Sequence, residues 1–368
     1  MLPDRCHGRR AANAAPLLRS LGAAAILAAA LAGCATQSAV GPAAGEAPAT
    51  AGAAAPPPPR QASGPAPASV QTPEFVAVVV QPGDTLASLA GTWLRDPARA
   101  WEIAEYNVVD SAAPGQELVI PLRPFRRGGL TPERYQTVPV LTYHQFTEKS
   151  TNRMTVSREA FEAQMNLLKV KGFQVITLAQ LVDFVEFRGQ LPEKSVVITI
   201  DDGWRSTYDI AFPILRKYGY PATLFVYTQL ITGGAKTLSW EQVREMSSQG
   251  IDVECHTISH RNLALPQGQE SPEQYFGTIA REIAESTRTI EQKLGKRPTF
   301  MAYPYGDTNG LAITLLKRQG FRAGLTVNRE ANAFFESSFR LGRAMIYGDF
   351  DLARFERNLP TSDRKALR

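Results

Sequence analysis

The amino-acid sequence predicts an α/β chain: a parallel (β/α) barrel of seven or eight units preceded by a small βααβ module. Three observations carry this reading. From residue 138 onward, β-branched apolar runs alternate with stretches of helical period. Residues 74–123 hold two strand-like runs around two short amphipathic stretches. The sharpest polar chemistry falls directly after strand-like runs, where the sites of parallel barrels gather. An open doubly wound sheet is the alternative architecture. At 368 residues, with 44% hydrophobic and 20% charged content, the chain suits two domains with real cores.

The first element is not part of the fold. Arg5, Arg9, Arg10 and Arg19 make a basic start, and the apolar run Leu21–Leu31 is too short for a spanning helix, which needs ~20 residues. Residues 1–33 therefore read as an export signal. Its ending, Leu31-Ala32-Gly33-Cys34, resembles a bacterial lipobox. That resemblance implies lipid on Cys34 and a periplasm-facing lipoprotein, and Ala35 is compatible with anchoring in the outer membrane. Four arginines against one aspartate put +3 of the net +5 in the signal, leaving +2, so no nucleic-acid partner follows. Cys6 lies in the signal and Cys34 at its end, so Cys255 stands alone and no disulfide within the mature chain is expected.

Residues 34–73 are dominated by Ala, Pro, Gly, Ser and Thr, which cannot bury enough surface to offset ordering; they read as a tether. The module at 74–123 follows. A strand run meets a Pro-Gly turn, Asp84 or Thr85 can cap a helix carrying Leu86, Leu89 and Trp93, and a second helix is expected over Pro97–Tyr106. "PGQELVIP" then supplies turn and strand. With "VQPGDTLASLA" and Asn107, the stretch resembles a LysM domain. The resemblance implies N-acetylglucosamine glycans, peptidoglycan first, bound beside Gly83, Asp84 and Thr85. A small structural domain without ligand is the plainer alternative.

The third segment, 137–355, carries the barrel pattern. Strand-like runs fall at 138–143, 173–176, 195–200, 222–227, 251–255, 299–303 and 321–327, with a weaker one near 339–346. Between them, "SREAFEAQMNLLKVKG" opens on a capping Ser157, places Phe161, Met165 and Leu168 at helical spacing and stops at Gly172.

Four strand ends hold the chemistry: His144 after "VPVLTY", Asp201 and Asp202 after "VVITI", His256 and His260 after "IDVEC", and Pro304-Tyr305-Gly306 after "TFMAY". Of four histidines, His7 lies in the signal and the other three all fall at these ends. Adjacent carboxylates raise each other's pKa, so either something positive sits beside Asp201-Asp202 or the two groups do different work; a cation would keep both ionised. The histidines of "HTISH" are four apart and would share one face of a helical turn, able to grip one ion. Two His and one Asp leave open positions, as a catalytic metal requires. Cys255 adjoins His256 but points to the other face of its strand, as packing. No Gly-x-Ser-x-Gly elbow, phosphate loop or paired Cys-x-x-Cys site competes.

"TIDDG" at 199–203, "HTISH" at 256–260 and "AYPYG" at 302–306 resemble the polysaccharide deacetylases, the NodB-like carbohydrate esterases of family four. The resemblance implies a distorted β/α barrel and a divalent metal, zinc first, with Co²⁺, Ni²⁺ or Fe²⁺ also suited to a His₂Asp set. By position, Asp201 is the general base, Asp202, His256 and His260 are metal ligands, and Tyr305 is the oxyanion donor through its backbone N–H. Tyr303, Trp204, Tyr305 and Trp240 are candidate sugar-stacking faces. The chain departs from the pattern in two places: Ala302 stands where the family often has an Arg that orients the base, and no Leu-x-His follows residue 306. The early Tyr143-His144 resembles deacetylases of poly-β-1,6-N-acetylglucosamine and makes His144 the candidate acid. The expected activity is removal of N-acetyl groups from peptidoglycan or an exported poly-N-acetylglucosamine. A cell-wall peptide amidase, and a glycan-binding lipoprotein of impaired activity, stay open.

Overall fold

The computed structural model describes residues 69–123, 125, 129–130, 134–149 and 152–363. The arginine-rich start, the apolar run, Cys34 and all but the last five residues of the 34–73 linker lie outside them. No described helix is long and apolar enough to cross a membrane.

In the N-terminal module, β1 (Ser69–Gln71), β2 (Phe75–Val79) and β3 (Glu117–Pro121) form an antiparallel sheet in the order β1-β2-β3. Helices α1 (Leu86–Leu94) and α2 (Ala100–Asn107) lie between β2 and β3. Thr85 caps α1 by accepting from the Ser88 N–H. The second helix starts later than expected: Pro97–Arg99 form a separate 3₁₀ turn capped by Asp96. Val76, Val78, Leu89, Ile103, Leu118 and Ile120 make the core. Asn107 ties α2 to β3, its Nδ2 donating to the Ile103 and Val119 carbonyls while its Oδ1 accepts from the Val119 N–H.

The larger domain opens with β4 (Tyr135–Val138) and β5 (Val140–Tyr143). A short pair follows, β6 (Gln145–Thr147) with β7 (Thr155–Ser157). Then come α3 (Arg158–Val170), β8 (Gln174–Val175), α4 (Leu178–Val185) and β9 (Ser195–Asp202). Strand and helix next alternate through α5 (Phe212–Tyr218), β10 (Ala222–Val226), α6 (Trp240–Ser248), β11 (Ile251–Cys255) and α7 (Pro272–Leu294). β12 (Phe300–Ala302), α8 (Gly310–Arg318), β13 (Ala323–Leu325) and β14 (Asn332–Ala333) continue the chain, and β15 (Ala344–Met345), α9 (Leu352–Glu356) and β16 (Ser362–Asp363) end it.

Seven parallel strands run in the order β13-β12-β11-β10-β9-β5-β15. The sheet curls until one segment reaches both edges: β15 pairs with β5, while Leu341, just upstream, bridges Leu325 of β13. The result is a distorted (β/α) barrel with a broken strand at its seam. The run at 173–176, expected in the ring, forms only β8, opposite Ser195 and Val196 at the start of β9. It has no place in the ring because β5 and β10 already occupy the two edges of β9.

Alternation along β9 sorts its side chains. Val196, Ile198 and Ile200 pack outward against the helical layer, whereas Val197, Thr199 and Asp201 face the interior. Leu178, Leu181, Val182 and Val185 of α4 join Val140, Val197, Phe225 and Leu325 in one cluster, which closes the end where the strands begin. Each such apolar side chain contributes ~1.5–3 kcal/mol on burial. The mouth at the strands' C-terminal ends is left for chemistry.

Gly203 turns the chain out of β9 at φ +120, a conformation open to glycine. A Cβ there would stand 2.4 Å from Ile231 Cδ1, a methyl that can swing aside. The backbone cost remains, so Gly203→Ala is expected to destabilise by about 2 kcal/mol. A urea midpoint that falls at unchanged m-value checks this; an unmoved midpoint refutes it.

Candidate active site

Asp201 occupies the last inward position of β9 and is 2% exposed. Asp202 follows at φ +80, which breaks the strand alternation and tips its carboxylate to the mouth. Neighbouring aspartates therefore enter different surroundings within one residue. Asp201 meets Arg343, which stands just before β15 and is 0% exposed. The guanidinium Nη1 donates to Asp201 Oδ1 at 2.8 Å, and Nε donates to the Thr326 carbonyl at 2.9 Å. Burial alone pushes the Asp201 carboxyl up. The Arg343 guanidinium, then His256 and His144, outweigh it and hold the group below the ordinary carboxylate value.

Asp202, His256 and His260 offer ligand atoms that all lie within 4.8 Å of one another. Asp202 Oδ1 is 3.7 Å from His256 Nε2 and 3.6 Å from His260 Nε2. These are too long for direct hydrogen bonds. Ligand atoms ~2.0–2.1 Å from a tetrahedral ion stand about 3.3 Å apart, so the spacing fits an ion between them. His256 Nδ1 donates to the Ala302 carbonyl at 2.7 Å, which turns the Nε2 lone pair toward Asp202. Burial lowers the His256 pKa, which favours the neutral ring a metal ligand needs. The Trp204 indole N–H donates to the other Asp202 oxygen at 2.9 Å. The residues present thus fit a divalent cation.

The two histidines do not come together on a helical turn. The segment from His256 to His260 is a loop, with Thr257 at φ +73 and His260 at φ +63. Its shape comes from outside. The Thr257 and Ile258 carbonyls accept from Thr228 and Gln229, and the Ile258 and Ser259 N–H groups donate to Glu282. Seven non-glycine residues among those described have positive φ, and Asp202, Thr257, His260 and Tyr305 account for four. Backbone strain is concentrated at this mouth, as it is at functional sites.

His144 directly follows β5, half-buried and close enough to act on Asp201. Tyr305 is 63% exposed, with its ring edge-on to His260 at 4.7 Å. The structure therefore brings Asp201, Asp202, His256, His260, His144, Trp204 and Tyr305 together. Tyr303 requires a correction. It is 0% exposed and its hydroxyl donates to the Phe339 carbonyl, with Gly324 leaving the space for it, so it has no face for a sugar. Trp240 begins α6 packed against the main core. Gly83, Asp84 and Thr85 belong to the N-terminal module, where Asp84 Oδ2 accepts from the Gln81 N–H within the turn.

Arg343 was not among the residues singled out from the sequence. One signal was available: a lone arginine inside the apolar run Leu341–Ile346.

A family profile described as polysaccharide deacetylase matches residues 188–324. YxkH of Bacillus subtilis, whose name places it among polysaccharide deacetylases, is 31% identical over 216 residues, 58% of this chain and 73% of that protein. The chain belongs to the polysaccharide deacetylase family. A poly-β-1,6-N-acetyl-D-glucosamine N-deacetylase of Staphylococcus epidermidis is 30% identical to this deacetylase over 208 residues, 55% of this chain and 71% of that one. Among solved structures, the Streptococcus pyogenes deacetylase PplD in complex with acetate matches with TM-score 0.55 and 25% identity, covering 62% of this chain and 100% of that one. IcaB from Ammonifex degensii matches with TM-score 0.53 and 27% identity, covering 60% and 95%. The chain is a polysaccharide N-deacetylase on a distorted β/α barrel. Arg343, arriving from the seam, donates to Asp201 from the far side of the chain.

Proposed function

We propose that this deacetylase removes acetyl groups from poly-β-1,6-N-acetylglucosamine at the cell envelope. The observation that carries the chemistry is one mouth holding an ionised, arginine-paired Asp201 beside the Asp202-His256-His260 cluster. The choice of polymer is supported by the early Tyr143-His144 and by the named activity of the Staphylococcus relatives.

Asp202, His256 and His260 would hold a divalent ion, zinc by donor set, which supplies Lewis acidity and makes water a nucleophile at neutral pH. The remaining work belongs to the chain. Asp201, kept ionised by Arg343, takes a proton from the attacking water. The backbone N–H of Tyr305 receives the developing oxyanion; one such donor is typically worth ~3 kcal/mol of barrier. His144, as imidazolium, gives a proton to the departing sugar amine. Base and acid hold opposite protonation states near one bond, as the reaction needs. Acetate and a glucosamine unit are the products.

The N-terminal module is proposed as a LysM domain that binds peptidoglycan and holds the enzyme near the wall. Its support is the "GDT" turn and the βααβ order. Cys34 is proposed as the lipid attachment site, with the 34–73 tether letting a periplasm-facing, outer-membrane-anchored enzyme reach its polymer.

Zinc-loaded protein incubated with poly-β-1,6-N-acetylglucosamine is expected to release acetate at least ~10-fold faster than with peptidoglycan, a difference within reach of a few subsite contacts. Faster release from peptidoglycan would reassign the substrate. Peptide cleavage would replace the reaction with an amidase, and glycan binding without release from either polymer would leave a binding protein.

A further inference from the structure

The loop carrying His256 and His260 is shaped by a side chain that no part of the proposed chemistry uses. Glu282 projects from the middle of α7 and is 7% exposed. Its Oε2 accepts from the Ile258 N–H at 2.9 Å and the Ser259 N–H at 3.1 Å, and its Oε1 accepts from the Ser259 hydroxyl at 2.8 Å. All three donors lie between the two metal-ligand histidines. No ion pair to Glu282 is found among the described residues. A buried carboxylate without a cation is costly unless its hydrogen bonds are made, and here all three side-chain hydrogen bonds go to this one loop.

Helix docking does not account for it. Ile279, Ile283 and Ile290 bury α7 in the main core, and Ser286 meets Cys255 of β11 at 3.0 Å. Ser286 and Thr287 also bond back to their own helix. What Glu282 adds is a fixed path for Ile258 and Ser259, between two residues in the left-handed region, Thr257 and His260. Left-handed backbone at non-glycine residues persists only where the surroundings over-determine it. The His260 N–H also donates to Thr257 Oγ1, which closes the loop on itself.

We propose that Glu282 is a positioning residue for the metal site: it clamps the 258–259 backbone so that His260 faces His256 and Asp202. The proposal rests on the reading of Asp202, His256 and His260 as metal ligands. The carboxylate acts through the loop and touches neither substrate nor ion. Hydrogen-bonding partners that fix ligand orientation typically change metal affinity by 10–100-fold when removed, and Glu282 stands in that relation to His260 through the backbone.

The test measures zinc affinity of the full chain by competition with a chromophoric chelator, and the visible spectrum of the cobalt form. Glu282→Ala is expected to weaken zinc binding about 10–100-fold and to alter the cobalt bands. Glu282→Gln, whose amide oxygen still accepts backbone N–H groups, should fall between that variant and wild type. At saturating zinc the Ala variant should lose kcat with KM nearly unchanged, which general loosening of the fold would not produce. A folded Glu282→Ala protein with zinc affinity within about twofold of wild type and an unchanged cobalt spectrum overturns the proposal. Should that variant fail to fold, Ser259→Ala decides: it removes one of the three bonds and leaves α7 intact. Weaker zinc binding by Ser259→Ala supports the clamp, and wild-type affinity overturns it. A wild-type chain that binds no zinc would sink the metal reading, and the clamp with it, whereas unchanged affinity in the variants sinks the clamp alone.

Discussion

Asp201→Asn is expected to lower acetate release by about 10²–10⁴-fold, the range a general base contributes, while zinc affinity stays near wild type. Asp201 faces the barrel interior and its neighbour Asp202 faces His256 and His260, so the two losses separate. The asparagine is isosteric, and its Oδ1 can still accept from Arg343 Nη1. It cannot take a proton. It also leaves Arg343 as a buried cation without its counter-charge. Breaking such a pair outright costs about 3–5 kcal/mol; with the hydrogen bond retained, a lower melting temperature in a still folded protein is expected. Acetate release, chelator competition and a thermal melt on the same preparation check the three parts. Undiminished turnover by Asp201→Asn would remove Asp201 from the base role.

Arg343→Met should slow the reaction by about 10²-fold at neutral pH, comparable to loss of one preorganised electrostatic contact, and move the acid limb of the pH–rate profile upward. The sign follows from the surroundings of Asp201. In the native protein its pKa is depressed because Arg343 and two imidazoles outweigh burial. The pair's contribution to stability is therefore present above the unfolded carboxylate value, near ~3.9, and is lost as pH falls through the lower folded value. Without the guanidinium, burial is the largest remaining influence and raises the pKa. The base is then protonated at a pH where the wild type is ionised. An opposite charge at this range is typically worth ~1–3 pKa units, so the limb should move up by at least about one. Arg343→Lys should rescue only in part, since Arg343 serves Asp201 and the Thr326 carbonyl with separate nitrogens of one planar fork. A kcat/KM profile from acid to neutral pH is the measurement. An unmoved acid limb in Arg343→Met would mean that the pairing does not tune the base.

Much of this site could be read in the chain because its parts are local. Asp201 and Asp202 close an apolar run, and the left-handed turn that separates their surroundings lies in the same few residues. His256 and His260 follow one strand, and the three histidines after His7 all fall at strand ends. The βααβ order, the Thr85 cap and the Ser157 cap also follow from near neighbours. Two local patterns misled. The four-residue spacing of the histidines suits a helical turn, but a loop held by Glu282 brings them together. Tyr303 lies beside the exposed Tyr305, yet strand alternation sends it into the core against Phe339.

The alternating α/β pattern, the Asp202-His256-His260 set and the family of the chain could be read from the residues alone. Those are properties of residue type, period and short spacing. Which cation faces Asp201, which carboxylate holds the histidine loop and which tyrosine stays open to solvent are set by long-range packing. Arg343 lies 142 residues from Asp201, beside a strand of two residues, and becomes its partner because the barrel closes there. A contact made by ring closure leaves no periodic trace in the chain, since its two halves are related through the fold and not through their neighbours.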